Sequence, residues 1–91
     1  MRQAKLDTLG LGHNNITVIE GLEHLPALED LWLNGNPIAS YDAITGLSQA
    51  TALQTLYLEH SPLARDFQYG MRVPQVCTSL TQLDANPVRR R

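Results

Sequence analysis

The residues best suited to chemistry in this 91-residue chain are three histidines and one cysteine, and their spacing indicates no reactive centre. His13, His24 and His60 lie far apart, and none has a cysteine or a second histidine at the spacing of a metal site. Cys77 has no evident base beside it, which predicts a buried, inert thiol. We therefore expect surface histidines, no metal ion, no cofactor and no enzyme.

Two further patterns that could do chemistry also fail. Gly10 and Gly12 begin a G-x-G pattern, but residue 15 is an asparagine where a phosphate-binding loop would carry its third glycine. The neighbouring acids Glu29 and Asp30 lie in a region that reads as a strand, and successive strand residues point to opposite faces. These two carboxylates cannot share a substrate.

The elements that would position any site follow a repeat. The pattern L-x-x-L-x-L-x-x-N ends at Asn14 and, 22 residues later, at Asn36. A third copy lies 25 residues further on, with Ser61 in place of the asparagine. A partial fourth copy has Leu80 and Leu83, followed by Ala85 at the third apolar position. The period is that of a leucine-rich repeat. The leucines of the three full copies are Leu6, Leu9, Leu11, Leu28, Leu31, Leu33, Leu53, Leu56 and Leu58.

This repeat predicts an α/β fold, a solenoid with short parallel strands on its concave face and irregular, 3₁₀ or helical segments on its convex face. The alternating leucines point inward, and the asparagine amides satisfy backbone groups at the bend after each strand. Ser61 offers only a hydroxyl, which predicts a loosening near the end of the array. The three-residue insertion belongs on the convex side, with a short helix or 3₁₀ turn over residues 41–49.

The two ends of the chain differ. Residues 1–61 are predicted to hold about three repeats, and residues 62–91 a terminal cap and a basic tail. In the cap we expect a helix over residues 66–76, broken by Pro74, and a last strand over residues 79–83. Only five residues precede Leu6, too few for a capping helix. We therefore expect further repeats before residue 1, or another chain, to cover the exposed strand edge.

The residues between the strand leucines should face outward on the concave sheet. Trp32 and Tyr57 occupy the same place in neighbouring copies, so they should lie side by side. Asp30, Asn34 and Glu59 flank them. Aromatic residues at the centre of a surface are typical of protein recognition, and the acids favour a partner with a basic patch. The alternative is that the aromatic pair only covers the sheet.

Composition restricts the partners and the compartment. The net charge of −2 argues against general nucleic-acid binding, and the three arginines at residues 89–91 read as a solvated terminus. A single cysteine fits a reducing compartment. We see no signal peptide and no apolar run long enough to span a membrane.

Several stretches resemble a known family. The segment I-T-V-I-E-G-L at residues 16–22, LEDLWLNGN at 28–36 and LQTLYLEHSP at 53–62 are similar to the Sds-twenty-two-like leucine-rich-repeat regulatory subunit of protein phosphatase 1. The F-Q-Y and S-L-T-Q-L-D-A stretches after them resemble that family's C-terminal cap. The sequence departs from the family at Gly10, where an acid is usual, at Ser61, and at Gly70, where an arginine is usual.

The resemblance implies a regulatory protein of the nucleus and cytoplasm that docks the phosphatase 1 catalytic subunit on its concave face. It implies contacts through Asp30, Trp32 and Tyr57, and the loss of one contact at Gly10. The alternative is another scaffold of the same repeat class, spliceosomal A-prime-like or axonemal, with a different protein partner. A structural fragment without a partner is a third possibility.

Overall fold

The leucine-bearing copies form neighbouring parallel strands, as the repeat predicts. The computed structural model describes residues 7–88, and Leu6 and the arginine tail lie outside the described residues. Four strands follow one another across the sheet in parallel, and a fifth pairs with the fourth in the antiparallel direction. The strands are β1 (Thr8–Gly10), β2 (Asp30–Trp32), β3 (Thr55–Tyr57), β4 (Gln82–Leu83) and β5 (Asn86–Pro87).

The pairing of residues between neighbouring strands follows the spacing of the repeat. Thr8 pairs with Asp30, and Asp30 pairs with Thr55, which reproduces the offsets of 22 and 25 residues. The three inserted residues therefore leave the strands undisturbed. They lie on the convex side, where a nine-residue 3₁₀ helix, Tyr41–Gln49, replaces the three-residue turn Leu22–His24 of the first repeat. The predicted convex segment is confirmed.

One contact fixes how closely the first two convex segments approach. A Cβ on Gly46 would collide with the main-chain carbonyl of Ile19, and the Ile19 amide donates to the carbonyl of Ala43 at 2.8 Å. A glycine is needed at residue 46 because the backbone of one repeat rests directly on the next.

Leucine side chains fill the space between the two faces. Their burial removes apolar surface from water, which is the main stabilising term in a domain of this size. The side chains with no exposed area lie in the second and third repeats and in the cap, and they are Leu28, Ile38, Ile44, Leu47, Leu53, Leu56, Leu58 and Val73.

Asn36 joins the first two repeats at the bend after the strand, as predicted for the repeat asparagines. Its Nδ2 donates to the carbonyls of Leu11 and Leu33, both at 2.9 Å. Its Oδ1 accepts from the amides of Asn14 at 3.0 Å and Ile16 at 3.2 Å. Because the side chain is 1% exposed, these four bonds satisfy groups that would otherwise be buried without partners.

Ser61, the residue in place of the third asparagine, does not loosen the array. It is 3% exposed, and its hydroxyl donates to the carbonyl of Leu58 at 2.5 Å, the bond that Asn36 makes within its own repeat. The expectation of a loose end was wrong, because the hydroxyl is buried and makes the bond that closes the bend within its own repeat.

The cap begins with a 3₁₀ turn, Pro62–Arg65, and its elements differ from the prediction in their bounds. The α-helix, α1 (Tyr69–Val76), starts three residues later than residue 66 and includes Pro74 instead of breaking there. Pro74 lies in the last turn of the helix, and its side chain is buried. The predicted strand over residues 79–83 is reduced to β4.

The end of the sheet holds a turn that the repeat did not predict. Asp84 adopts a positive φ of 55°, which reverses the chain so that β5 returns along β4. Ala85, expected at an inward apolar position, is exposed, and Asp84 is buried instead. The antiparallel strand covers the edge that a further repeat would otherwise occupy.

The opposite end is more open. An apolar cavity of about 200 Å³ lies at the first repeat and is lined by core residues such as Leu9, Leu11 and Leu25. These three are only partly buried, and Val18 is half exposed. Within the described residues, no helix is long and apolar enough to cross a membrane.

Candidate protein-binding surface

The outward-facing residues of the strands form rows across the concave sheet. The first row is Thr8, Asp30, Thr55 and Gln82, in Cα register. The second row is Gly10, Trp32 and Tyr57. The same offsets place Gly12, Asn34 and Glu59 in a third row. We call these ten residues the concave surface. Its two acids and its lack of lysine and arginine give it a negative potential.

An aromatic pair occupies the centre of the concave surface. The rings of Trp32 and Tyr57 are stacked, with centroids 4.9 Å apart and an interplanar angle of 29°. Trp32 is 46% exposed although it is the largest side chain in the protein. Gly10, its neighbour on β1, leaves open space on the other side, since a Cβ there would meet nothing within 4 Å. One flank of the indole is therefore open to a partner.

The sequence placed these two rings side by side, and the structure does the same. Stacking between neighbouring strands stabilises the sheet, but it does not account for so large an exposed area of indole. Exposed aromatic surface of this kind is uncommon unless it is used for binding.

Asp30 lies on one side of the aromatic pair. It is partly exposed, and its Oδ2 accepts a long hydrogen bond from the hydroxyl of Thr8 at 3.5 Å. No cation within residues 7–88 forms an ion pair with Asp30. The carboxylate is therefore available to a basic group of another molecule.

Asn34 and Glu59 lie on the other side of the aromatic pair. The Asn34 amide packs over Gly12, where a Cβ would come within 2.9 Å of its Oδ1, and its Nδ2 lies 3.5 Å from Nε2 of His13. Glu59 is fixed through its backbone, since its carbonyl accepts from the amide of Gly35 at 3.0 Å. The five predicted site residues thus lie on one continuous surface.

Three residues at the bends after the strands share one backbone conformation. His13, Gly35 and His60 occupy equivalent positions of successive repeats, and their φ angles are 57°, 75° and 66°. This left-handed conformation favours glycine. His13 and His60 adopt it although they carry a side chain, and histidine is more common in this region than most residues. Across residues 7–88, no three histidine, cysteine or acidic side chains come close enough to hold a metal ion.

Sequence reasoning missed one residue of the surface, Gln82 of the cap. Its Nε2 donates to the hydroxyl of Tyr57 at 3.3 Å and to the carbonyl of Asp84 at 2.9 Å. The signal was present, because Gln82 precedes Leu83 as Asp30 precedes Leu31. The signal is weak, because the fourth copy has Ala85 where its third leucine would stand.

The sequence of the repeats matches a known family model, described as leucine-rich repeats in two copies, over residues 4–49. The chain belongs to the leucine-rich repeat family. Solved structures agree with this family. The chain superposes on one chain of the Drosophila melanogaster SNF/U2A′ complex with a TM-score of 0.86 and 29% identity. The superposition covers 93% of this chain and 50% of the chain in that complex.

A second solved structure and two curated relatives are also similar to the chain. The Mex67 leucine-rich-repeat domain of Chaetomium thermophilum gives a TM-score of 0.83 at 25% identity, over 92% of this chain and 59% of that one. The protein phosphatase 1 regulatory subunit pprA of Dictyostelium discoideum is 37% identical over 82% of this leucine-rich-repeat chain. An uncharacterised Caenorhabditis elegans protein is 28% identical over 96% of it. The chain spans about a fifth of the length of these curated relatives, 22% and 19%.

The resemblance to phosphatase regulatory subunits, first seen in the repeat motifs, is thus supported by a relative that carries that name. The leucine-rich-repeat solenoid with a C-terminal cap is confirmed. The family provides protein-binding scaffolds.

Proposed function

We propose that this chain is a docking module of a protein phosphatase 1 regulatory subunit, and that its concave surface binds the catalytic subunit. The observation that carries the proposal is the stacked, exposed pair of Trp32 and Tyr57 between two acids. The similarity to the pprA regulatory subunit supports the choice of partner. The chain acts by binding and not by catalysis, which its membership of a family of binding scaffolds supports.

The composition of the surface predicts the chemistry of the partner. Asp30 and Glu59 favour arginine or lysine at the contact, and the open indole face of Trp32 can stack against a guanidinium group. We therefore expect the catalytic subunit to present basic residues to this surface. Binding should weaken with added salt, because exposed charges are screened within about 10 Å at 0.1 M ionic strength.

The test is a titration of the chain with the phosphatase 1 catalytic subunit, using NMR spectra of the ¹⁵N-labelled chain to detect weak binding. Trp32→Ala and Tyr57→Ala should each raise the dissociation constant about thirtyfold, as expected for central aromatic residues. Phe67→Ala is the matched control, since Phe67 is an aromatic residue of the cap that is 93% exposed and lies outside the concave surface. It should leave binding unchanged.

The outcomes separate the candidate functions. Loss of binding in both concave variants and not in the control supports the phosphatase proposal. Equal binding by all four proteins would place the contact elsewhere. No spectral change with the unmodified chain would reject the phosphatase as a partner of this segment.

A second candidate is a scaffold of the spliceosomal A-prime type, which the superposition on the SNF/U2A′ complex favours. In that case the binding partner is a protein of an RNA-protein particle instead of the phosphatase. The same labelled chain titrated with an SNF-type protein distinguishes the two, because each proposal predicts spectral changes at the concave surface with one partner and not with the other.

Either function would place the protein in the nucleus, and the phosphatase proposal would also place it in the cytoplasm. We propose both compartments. Imaging of the tagged protein in cells checks this, and a signal confined to a membrane-bounded secretory compartment would contradict it.

A further inference from the structure

The cap fixes the orientation of a hydrogen bond at the concave surface. Gln82 donates from its Nε2 to the main-chain carbonyl of Asp84 at 2.9 Å. A main-chain carbonyl can only accept a hydrogen bond. The atom of the Gln82 amide that faces this carbonyl must therefore be the nitrogen, which fixes which end of the amide points toward Tyr57.

The orientation of the Gln82 amide determines the role of the Tyr57 hydroxyl. The same Nε2 lies 3.3 Å from the Tyr57 oxygen, so that oxygen accepts a hydrogen bond from Gln82. A phenol carries one proton of its own. Among residues 7–88, the Tyr57 hydroxyl has no hydrogen-bond contact other than the one with Gln82. Within that range the hydroxyl proton has no acceptor, so it is available to a group that the described residues do not supply.

The charges around Tyr57 restrict what that acceptor can be. A lysine or arginine side chain has no acceptor atom. A carboxylate would be repelled by the acids of the same surface, Asp30 and Glu59, since like charges disfavour contact. A neutral carbonyl oxygen, from the main chain or from an asparagine or glutamine amide, meets both conditions.

We propose that Tyr57, oriented by Gln82, donates a hydrogen bond to a carbonyl oxygen of the docked partner, and that Gln82 is a positioning residue of the docking surface. The inference rests on the proposed function. It adds that Tyr57 donates, and the partner accepts, in the hydrogen bond at the centre of the surface. Docking then combines a basic group beside Trp32 with a carbonyl group over the Tyr57 hydroxyl.

A second contact of the cap supports this assignment. The Oδ1 of Asp84 accepts from the amides of Leu58 at 2.7 Å and Glu59 at 3.0 Å, the two residues that follow Tyr57. The cap therefore holds both the hydroxyl of Tyr57 and the backbone next to it. A rigid hydroxyl loses less freedom when a partner binds, which improves affinity.

The test is a double-mutant cycle on binding to the phosphatase 1 catalytic subunit, followed by NMR titration. Tyr57→Phe keeps the stacked ring and removes the hydroxyl, and it should weaken binding about fivefold to tenfold, the range for one hydrogen bond. Gln82→Met removes the amide at similar volume and should weaken binding about twofold to threefold. In the Tyr57→Phe background, Gln82→Met should have no further effect.

The control is Thr81→Val on the neighbouring residue. Thr81 donates from its hydroxyl to the carbonyl of Gln54 at 3.1 Å, away from the aromatic pair. Loss of the Thr81 hydroxyl removes a bond between the cap and the third repeat. It leaves the hydrogen bond from Gln82 to the Tyr57 hydroxyl unchanged. Binding by this variant should equal that of the unmodified chain, and a loss would show that cap stability alone sets affinity, which would overturn the inference.

Other outcomes are equally decisive. Unmodified affinity in Tyr57→Phe, or the same loss from Gln82→Met in both backgrounds, would overturn the inference and leave the proposed function standing. Failure of the unmodified chain to bind would overturn the proposed function, and the inference with it. In the free protein, the side-chain amide signals of Gln82 should shift in Tyr57→Phe, and unchanged signals would contradict the orientation of the bond.

Discussion

Two buried polar side chains close junctions at different places in the sheet, and they do so with different chemistry. Asn36 joins the first two repeats with an amide that donates twice and accepts twice. Asp84 joins the third repeat to the cap with a carboxylate that only accepts, from two backbone amides and from the hydroxyl of Tyr69 at 2.8 Å.

The difference follows from what each junction must satisfy. Between repeats, the Leu33 amide donates to the carbonyl of Tyr57, the next strand's residue, at 2.8 Å. At the end of the array, the equivalent amide of Leu58 donates to the side chain of Asp84 instead. The carboxylate stands in for the carbonyl that a further strand would present. The junction of the first two repeats is therefore held by an amide that donates and accepts, and the closing junction by an acceptor.

The largest expected effect comes from exchanging the chemistry of the interior junction. Asn36→Asp replaces two donors with a charged oxygen that faces the carbonyls of Leu11 and Leu33. We expect the free energy of unfolding to fall by about 3 kcal/mol at neutral pH, since two buried carbonyls lose their donors and face a buried negative charge instead. Urea unfolding measures this change.

The control for that exchange is Asn14→Asp in the first repeat. The Asn14 Nδ2 donates to the carbonyl of Leu11 at 2.9 Å in an exposed setting, so water can replace the lost bond. The loss of stability should be well under half of that in Asn36→Asp. Equal losses would mean that burial does not distinguish the two asparagines.

The next effect tests the donors of the closing junction. Tyr69→Phe removes the hydroxyl that donates to Oδ2 of Asp84, a carboxylate that is 8% exposed. Because hydrogen bonds to charged groups contribute more than neutral ones, we expect a loss of about 2 kcal/mol in the free energy of unfolding. An unchanged midpoint of thermal unfolding would show that Asp84 needs only the two backbone donors.

The sequence predicted the interior junction well and the closing junction poorly, for a physical reason. Repeated leucines and asparagines place strands, register and the aromatic pair because every copy meets the same environment. The positions of Trp32 and Tyr57 follow directly from their equivalent places in the repeat. A prediction from periodicity is reliable for as long as the period continues.

The cap is not periodic, so its contacts depend on packing that no repeat specifies. The burial of Asp84, the exposure of Ala85 and the reach of Gln82 to Tyr57 all follow from a chain reversal with a positive φ at a non-glycine residue. An aspartate tolerates that conformation better than most residues, but the sequence alone did not mark it.

A milder exchange at the closing junction tests whether its charge matters. Asp84→Asn keeps an oxygen that can accept from the amides of Leu58 and Glu59, and its Nδ2 can donate to the oxygen of Tyr69, which can also accept. We expect a loss of about 1 kcal/mol in the free energy of unfolding, less than in Tyr69→Phe. A loss as large as that of Asn36→Asp would show that the closing junction requires a carboxylate.

The smallest effect concerns a second tyrosine–aspartate pair, which differs from the closing junction in its exposure. The Tyr41 hydroxyl donates to Oδ2 of Asp66 at 2.6 Å, and the Arg72 guanidinium lies 3.8 Å above the Tyr41 ring centroid. The hydrogen bond from Tyr41 lowers the pKa of Asp66. Burial, followed by the same bond, raises the pKa of Tyr41 to about 12.

These shifts give the pair a pH window. A lowered carboxyl pKa stabilises the fold above the unfolded value of about 3.9, and that stability is lost as the pH falls through the lower folded value. The raised phenol pKa stabilises the fold below about pH 10, and that stability is lost as the pH rises toward the folded value. Tyr41→Phe should therefore lower the unfolding midpoint slightly at pH 7, and by less as the pH falls and Asp66 becomes protonated. Because this pair is only partly buried, water screens it more, and the effect should be smaller than that of Tyr69→Phe, its buried counterpart. Thermal unfolding of both variants from pH 2 to pH 7 measures the difference, and equal losses would mean that burial does not set the strength of the closing junction.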